Sequence, residues 1–137
     1  RLRDEAKQKD SPYDQVWCVF DRDSFPAHQV DNAWNKAQES QIRTAFSNEA
    51  FELWYILHFD FVDSACSRVE YQRMLSERLD KQYRKNDPSI YRDLRPRQEM
   101  AIANAEKLLA QYTPRHPSND NPSTEVHRLV QELNKQK

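Results

Sequence analysis

Two aspartates stand one residue apart at the end of an apolar run. The run lies within Gln15–Phe20, where both alternating sets of side chains after the glutamine are apolar, and Asp21 and Asp23 follow it. Such a strand is typical of the interior of a parallel α/β sheet, whose ligands bind at the carboxyl ends of the strands. Two carboxylates there suit Mg²⁺, which takes one or two protein carboxylates with water and phosphate oxygens. The alternative is an ordinary turn or helix cap, because aspartate favours both.

A third carboxylate, Glu52, lies in the first turn of an apolar helix predicted at Phe51–Phe59, directly after a second strand predicted at Ile42–Phe46. In a parallel sheet the start of this helix lies at the same edge as Asp21 and Asp23. Glu52 could complete a metal site or position a water molecule. It could equally be an acidic residue placed favourably against the helix dipole.

Three polar residues flank Glu52 in the sequence. Ser47 and Asn48 are predicted to cap the helix first and to face a phosphate group second. His58 lies six residues after Glu52, so their side chains diverge by roughly 120° around a helix. We therefore predict that His58 is a hydrogen-bonded core histidine rather than a metal ligand.

Basic residues are interleaved with tyrosines in the second half of the chain. This mixture suits contact with a nucleic-acid backbone and stacking on its bases. Matching acidic residues favour a solvated face instead. If an active site is present, its phosphate clamp is expected at Arg92, Arg95 and Arg97.

Apolar spacing predicts the other elements. Further helices are expected at Val30–Ser40, Ser64–Arg84, Ile90–Leu94 and Arg97–Tyr112, with a last helix opened by Asn121 and Pro122. Two strands joined by a helix make a βαβ unit, so the fold class is α/β. We expect a core over residues 1–62 and a helical extension of the same domain over residues 63–137.

Composition sets further bounds. The 137 residues include no glycine, carry a formal net charge of −1 and begin without methionine, so we expect the C-terminal portion of a longer protein. The charge argues against nucleic-acid binding by bulk attraction alone. No apolar run approaches the roughly 20 residues that span a bilayer. Cys18 and Cys66 lack metal-ligand spacing and are expected to be reduced thiols of a cytoplasmic protein.

Three segments together resemble the RloB family of bacterial and archaeal defence proteins. They are VFDRD, which ends in Asp23, AFSNEAFELWYILHF, which contains Asn48 and Glu52, and the closing NPSTEVHRLVQEL. The likeness extends from about Tyr13 to Leu133, and the joint spacing is more specific than any one segment.

The resemblance implies a Toprim-like three-layer α/β domain with a partial parallel sheet and an added C-terminal helical portion. It implies that Asp21 and Asp23 bind Mg²⁺ or Mn²⁺. With Glu52, placed at the same edge by the reasoning above, these two residues are the expected catalytic set. Toprim proteins open with a strand that ends in a catalytic glutamate, and no such segment is present in this sequence.

The function implied is that of a metal-dependent nuclease acting on DNA or RNA in an antiphage system, with an ABC-type ATPase as partner and no membrane association. The Phe51–Phe59 helix or the last helix is the expected docking face. The alternative is a catalytically silent module that binds the ATPase or a nucleic acid, and the chain as given is expected to be inactive by itself.

Overall fold

The computed structural model describes residues 15–22 and 25–136. Asp23, half of the predicted metal pair, lies outside the described residues. The elements run in the order β1 Trp17–Asp21, α1 Ala27–Glu39, β2 Arg43–Asn48, α2 Glu52–Ile56, α3 Arg68–Leu79, α4 Ile90–Leu94, a 3₁₀ turn Arg95–Arg97, α5 Gln98–Leu109, β3 Ser123–Thr124 and α6 Val126–Lys135.

The sheet contains three described strands in the order β1-β2-β3. β1 and β2 are parallel, with Trp17 opposite Arg43 and Asp21 opposite Ser47. β3 runs antiparallel to β2, and its Thr124 lies opposite Ser47. The chain is therefore a mixed α/β domain with a parallel pair, consistent with the predicted Toprim-like class. The C-terminal part contributes a strand as well as helices.

The prediction that the first strand is buried on both faces is wrong. Among the described residues β1 pairs only with β2, Cys18 is exposed, and Val19 is 48% exposed. The strand buried on both faces is β2, whose residues 44–48 are all buried. β2 is central because it pairs with β1 on one edge and with β3 on the other. The residues of β1 contain no signal for the pairing between β2 and β3.

The hydrophobic core lies on the face of β2 that is covered by α2, α3 and α5. Its fully buried members include Leu53, Ile56, Tyr71, Leu75 and Leu108. Helix α2 is buried here, so the expectation that the Phe51–Phe59 segment forms a docking face is wrong. None of the described helices is long and apolar enough to cross a bilayer.

Helix α3 is shorter at both ends than predicted. Ser67 and Glu70 form a reciprocal capping box, in which each side chain accepts a hydrogen bond from the other residue's backbone N–H. The helix therefore begins at Arg68. It stops at Leu79 because Asp80 adopts a left-handed backbone with φ of 56°.

The start of α6 also differs from its prediction. Asn121 and Pro122 do not open the helix, because the two-residue strand β3 follows them and α6 begins at Val126. Sequence reasoning had no signal for so short a strand.

Core packing can be tested within one helix. Leu75→Ala should lower the free energy of unfolding by about 2–5 kcal/mol, because it leaves a cavity at a fully buried site. Val69→Ala in the same helix should change stability by less than about 0.5 kcal/mol, since Val69 is 73% exposed. Urea unfolding followed by circular dichroism measures both, and equal losses would contradict this core.

A buried histidine makes stability depend on pH. Burial, and next the charge of Arg128, lower the pKa of His127 to about 4, against an ordinary value of 6.5. As the pH falls, His127 is therefore protonated near pH 6.5 in the unfolded chain but only near pH 4 in the folded chain. Stability from this group is complete above pH 6.5 and is lost as the pH falls towards 4.

We expect a loss of about 2 kcal/mol in unfolding free energy between pH 7 and pH 5 from this group. His127→Leu should flatten the profile in that window, and His28→Gln, at an exposed position, should leave it unchanged. The same fall in stability in His127→Leu would assign the pH dependence to other groups.

Candidate functional site

Asp21 is fixed at the end of β1 by two donors. Its Oδ2 accepts a hydrogen bond from the backbone N–H of Phe51 at 3.1 Å and another from Arg68 Nη2 at 2.5 Å. Phe51 directly precedes α2, and Arg68 is the first residue of α3. The carboxylate thus ties the strand end to the starts of two helices.

Glu52 lies beside this group and is 2% exposed. Its Oε2 accepts a hydrogen bond from the Tyr83 hydroxyl at 3.0 Å, and its Oε1 lies 3.4 Å from Arg68 Nε. Oε1 accepts no hydrogen bond from the described residues. The predicted closeness of Asp21 and Glu52 is therefore present, and the Arg68 guanidinium lies between them.

The electrostatics explain why the three side chains occur together. Two carboxylates near one sheet edge repel each other, and burying Glu52 removes the water that would screen its charge. Arg68 supplies the compensating positive charge. Burial, followed by the charge of Glu52, raises the pKa of Tyr83, so its hydroxyl stays protonated as a donor to Glu52.

Two carboxylates of this site are of the ligand type that hard divalent cations prefer. Asp21 and Glu52 offer carboxylate oxygens, and Glu52 Oε1 is a buried acceptor without a hydrogen bond. Mg²⁺ commonly takes one or two such carboxylates and completes its shell with water or phosphate oxygens. Within the described residues no group of three or more acidic, histidine or cysteine side chains is arranged to hold a metal ion. A metal here would also have to displace the Arg68 guanidinium from between the acids.

Asn48 and Ser47 serve the fold rather than capping α2, so that prediction is wrong. Both belong to β2. Asn48 is fully buried, and its Nδ2 donates to the carbonyl oxygens of Pro117 and Ser118 at 3.2 and 3.1 Å. The Ser47 hydroxyl lies 2.7 Å from Thr124 Oγ1. The Asn48 amide protons therefore point at protein carbonyls and not at an open phosphate position.

In the part of the chain that the structure describes, the three predicted clamp arginines are not hydrogen-bonded or ion-paired to the acidic pair. Arg97 packs over the Phe59 ring at 4.9 Å and lines a cleft with Arg78, at the far end of α3 from Arg68. Ten residues of helix separate Arg68 from Arg78, a distance of about 15 Å. Arg92 is 81% exposed. Among the described residues, the hydrogen bonds and ion pairs of Asp21 and Glu52 are made with Phe51, Arg68 and Tyr83 and not with these three arginines.

His58 has the predicted structural role. It is buried, and its Nδ1 lies 3.0 Å from the Trp54 carbonyl oxygen and 3.1 Å from that of Tyr55. Burial lowers the pKa of His58 despite these hydrogen bonds. The ring is therefore neutral at pH 7 and donates from Nδ1.

Sequence reasoning missed Arg68 and Tyr83. The sequence did contain a signal for Arg68, because Ser67 with Glu70 matches a capping box and would have placed a helix start there. Tyr83 lies after α3, in a segment predicted to be helical, and no local pattern turns it towards Glu52.

A second buried carboxylate, Glu125, was also missed. It is 0% exposed, and its Oε1 accepts from Thr44 Oγ1 at 2.8 Å and from the Phe46 N–H at 3.1 Å. Its Oε2 accepts from Trp34 Nε1 at 3.1 Å and lies 3.4 Å from Arg115 Nη2. Glu125 thereby fastens the C-terminal segment to β2 and α1.

A family model described as RloB-like protein matches residues 1–133. No curated protein and no solved structure matches the chain.

The bridging role of Arg68 predicts a specific stability cycle. Arg68→Met should lower the free energy of unfolding by about 3–5 kcal/mol, because the Glu52 carboxylate is left buried without its cation. Adding Glu52→Gln to Arg68→Met should recover a large part of that loss. Chemical unfolding of the two single variants and the double variant measures the coupling.

Arg73→Met is the matched control, since it removes an exposed ion pair with Glu77 from the same helix and should cost less than about 0.5 kcal/mol. Strictly additive effects of Arg68→Met and Glu52→Gln would show that the two side chains do not interact.

Proposed function

This chain belongs to the RloB-like family, and we propose that it carries the metal-binding part of a phosphodiester-cleaving effector in a prokaryotic antiphage system. One observation carries the proposal. Asp21 at the end of β1 and Glu52 at the start of α2, the helix after β2, meet at the carboxyl edge of this parallel pair, with the Arg68 guanidinium between them. Open α/β sheets bind their ligands at this edge.

The acidic residues would hold Mg²⁺ or Mn²⁺ through Asp21 and Glu52, with Asp23 as the third candidate ligand. When bound, the ion would neutralise charge on the phosphate and lower the pKa of a bound water molecule. Tyr83 restrains Glu52 through its 3.0 Å hydrogen bond, so this carboxylate is oriented before a ligand arrives.

Arg68 would act on the substrate as well as on the acids. Its guanidinium matches the geometry of a phosphate group and can exchange a carboxylate partner for a phosphate oxygen. This dual role would make Arg68 the phosphate clamp that the sequence suggested at Arg92, Arg95 and Arg97. The general acid or base is assigned to none of the described residues.

An ABC-type ATPase is the proposed partner, as the family resemblance implies. The last helix is the remaining candidate for the docking face, because α2 is buried. Leu133 of α6 is 55% exposed and is the apolar residue to substitute first in a test of that docking.

A second candidate function is a catalytically silent binding module. The observation favouring it is the Arg68 guanidinium itself, which already neutralises Asp21 and Glu52 without a metal. In such a module the same three residues would be a structural ion cluster, and the protein would act by binding alone.

Cleavage assays on the full protein test the first function. With Mn²⁺ or Mg²⁺, labelled DNA or labelled RNA should be cut. Asp21→Asn should reduce the rate by about 100-fold or more, because it removes a proposed ligand. Asp63→Asn is the control, since it removes one carboxylate from an exposed position. Equal cleavage by Asp21→Asn and the native protein would place the chemistry elsewhere.

Metal binding distinguishes the two candidates without relying on activity. Titration calorimetry with Mn²⁺ should detect binding that Asp21→Asn weakens, and Arg68→Met should strengthen it by removing the competing cation. The silent module predicts no Mn²⁺ binding in either the native protein or Arg68→Met.

A further inference from the structure

A separate cleft lies at the opposite end of β1 from the acidic pair. Trp17 is the first residue of β1 and Asp21 the last, so the two sites are about 13 Å apart along the strand. The cleft encloses about 530 Å³, which is within the usual range for small-ligand sites. It lies where β1 and β2 meet α1 and α6. Its lining combines two indole rings with three cationic side chains and one carboxylate: Trp17, Trp34, Arg43, Arg128, Lys135 and Glu132.

The cationic side chains of the cleft are more than half exposed, and two of them pair with one carboxylate. Glu132 Oε1 pairs with Arg43 Nη1 at 2.8 Å, and its Oε2 pairs with Lys135 Nζ at 2.8 Å. The side chains of Arg43, Arg128 and Lys135 are 53%, 54% and 73% exposed. The lining therefore has more cationic than anionic side chains, in a chain of net charge −1.

The buried carboxylate of Glu125 positions the wall of the cleft. It accepts hydrogen bonds from Trp34 Nε1 and Thr44 Oγ1, and it lies 4.0 Å from Arg128 Nη1. One fully buried group therefore orients an aromatic ring, a hydroxyl and a cation that all face the same space. Such support fixes a site before its ligand binds. Glu125 makes none of the hydrogen bonds described above for Asp21 and Glu52 at the other end of the sheet.

We infer that this cleft binds a nucleotide. The indole and guanidinium surfaces offer stacking for a base, and Arg128 and Lys135 offer charge-assisted hydrogen bonds to a phosphate. A free nucleotide and a nucleotide within a single strand share this chemistry. A second cleft of about 460 Å³ also borders Arg128 and adds Arg115 and Tyr112, so a neighbouring nucleotide could continue along α6.

Binding can be measured independently of the proposed cleavage. The full protein is titrated in EDTA, which removes divalent ions, with AMP, adenosine, inorganic phosphate, and six-residue single strands of DNA and RNA. Titration calorimetry gives affinities, and tryptophan fluorescence adds a local signal because two of the three tryptophans line the cleft. We expect AMP or a single strand to bind at least about tenfold more tightly than adenosine or phosphate alone, since base and phosphate are both recognised.

Comparing the affinity for AMP with that for the single strands shows whether the ligand is a free nucleotide or a nucleic acid. Binding of AMP at least as tight as that of the strands indicates a free nucleotide, and binding of a strand at least tenfold tighter than that of AMP indicates a nucleic acid. Either result supports the site. No binding of AMP or of either strand at millimolar concentration would overturn it, and so would binding of phosphate as tight as that of AMP.

Paired variants locate the binding. Arg128→Gln with Lys135→Gln should weaken it by about tenfold or more, because the phosphate loses its cations. Arg73→Gln with Lys85→Gln removes the same charge from exposed positions elsewhere and should leave the affinity unchanged. Trp17→Leu should weaken AMP binding while leaving phosphate binding unaltered. An equal loss of affinity in the two double variants would show that binding depends only on overall charge, and it would overturn the site.

Discussion

The guanidinium of Arg68 is the group on which the candidate active site depends. It pairs with Asp21 at the end of β1 and lies 3.4 Å from Glu52 at the start of α2. Without a cation in this position, a buried carboxylate and a partly buried one would face each other at low dielectric. The bridge therefore decides how β1, α2 and α3 meet. The same arrangement would give way to a metal ion only if that ion bound the carboxylates more strongly than Arg68 does.

A second ion cluster organises the other side of the sheet. Glu125 is buried with Arg115 at 3.4 Å, and Arg115 Nη1 also lies 2.9 Å from Asp120 Oδ2. Because these residues come from the segment around β3, the cluster fastens the C-terminal part of the chain to β2. The loop between α5 and β3 therefore packs largely against the protein's own interior, with Ser118 and Asp120 buried.

Sequence patterns predicted the helices, the strand end and the histidine whose structure depends on residues close to them in the chain. The helix Ile90–Leu94 has the predicted bounds, and the helix predicted at Arg97–Tyr112 exists in shortened form as α5. Asp21 stands at a strand end, as the end of an apolar run implied, and His58 is held by backbone carbonyls of its own helical turn. The errors arose where remote residues decide the outcome. Ser47 and Asn48 looked like helix caps, but pairing with β3 and contacts with the Pro117 region place them inside the sheet.

By itself the sequence determined the α/β class, the placing of Asp21 and Glu52 at one edge, and the family resemblance. The first two follow from apolar periodicity and from the rule that parallel strands end together. The resemblance rests on three sequence segments and their joint spacing. Tertiary structure alone decided that β1 is outermost among the described strands, that Arg68 stands between the acids, and that two tryptophans and three cations share one cleft. Such facts depend on contacts between residues far apart in the chain. Their side chains are brought together by packing, which no local spacing encodes.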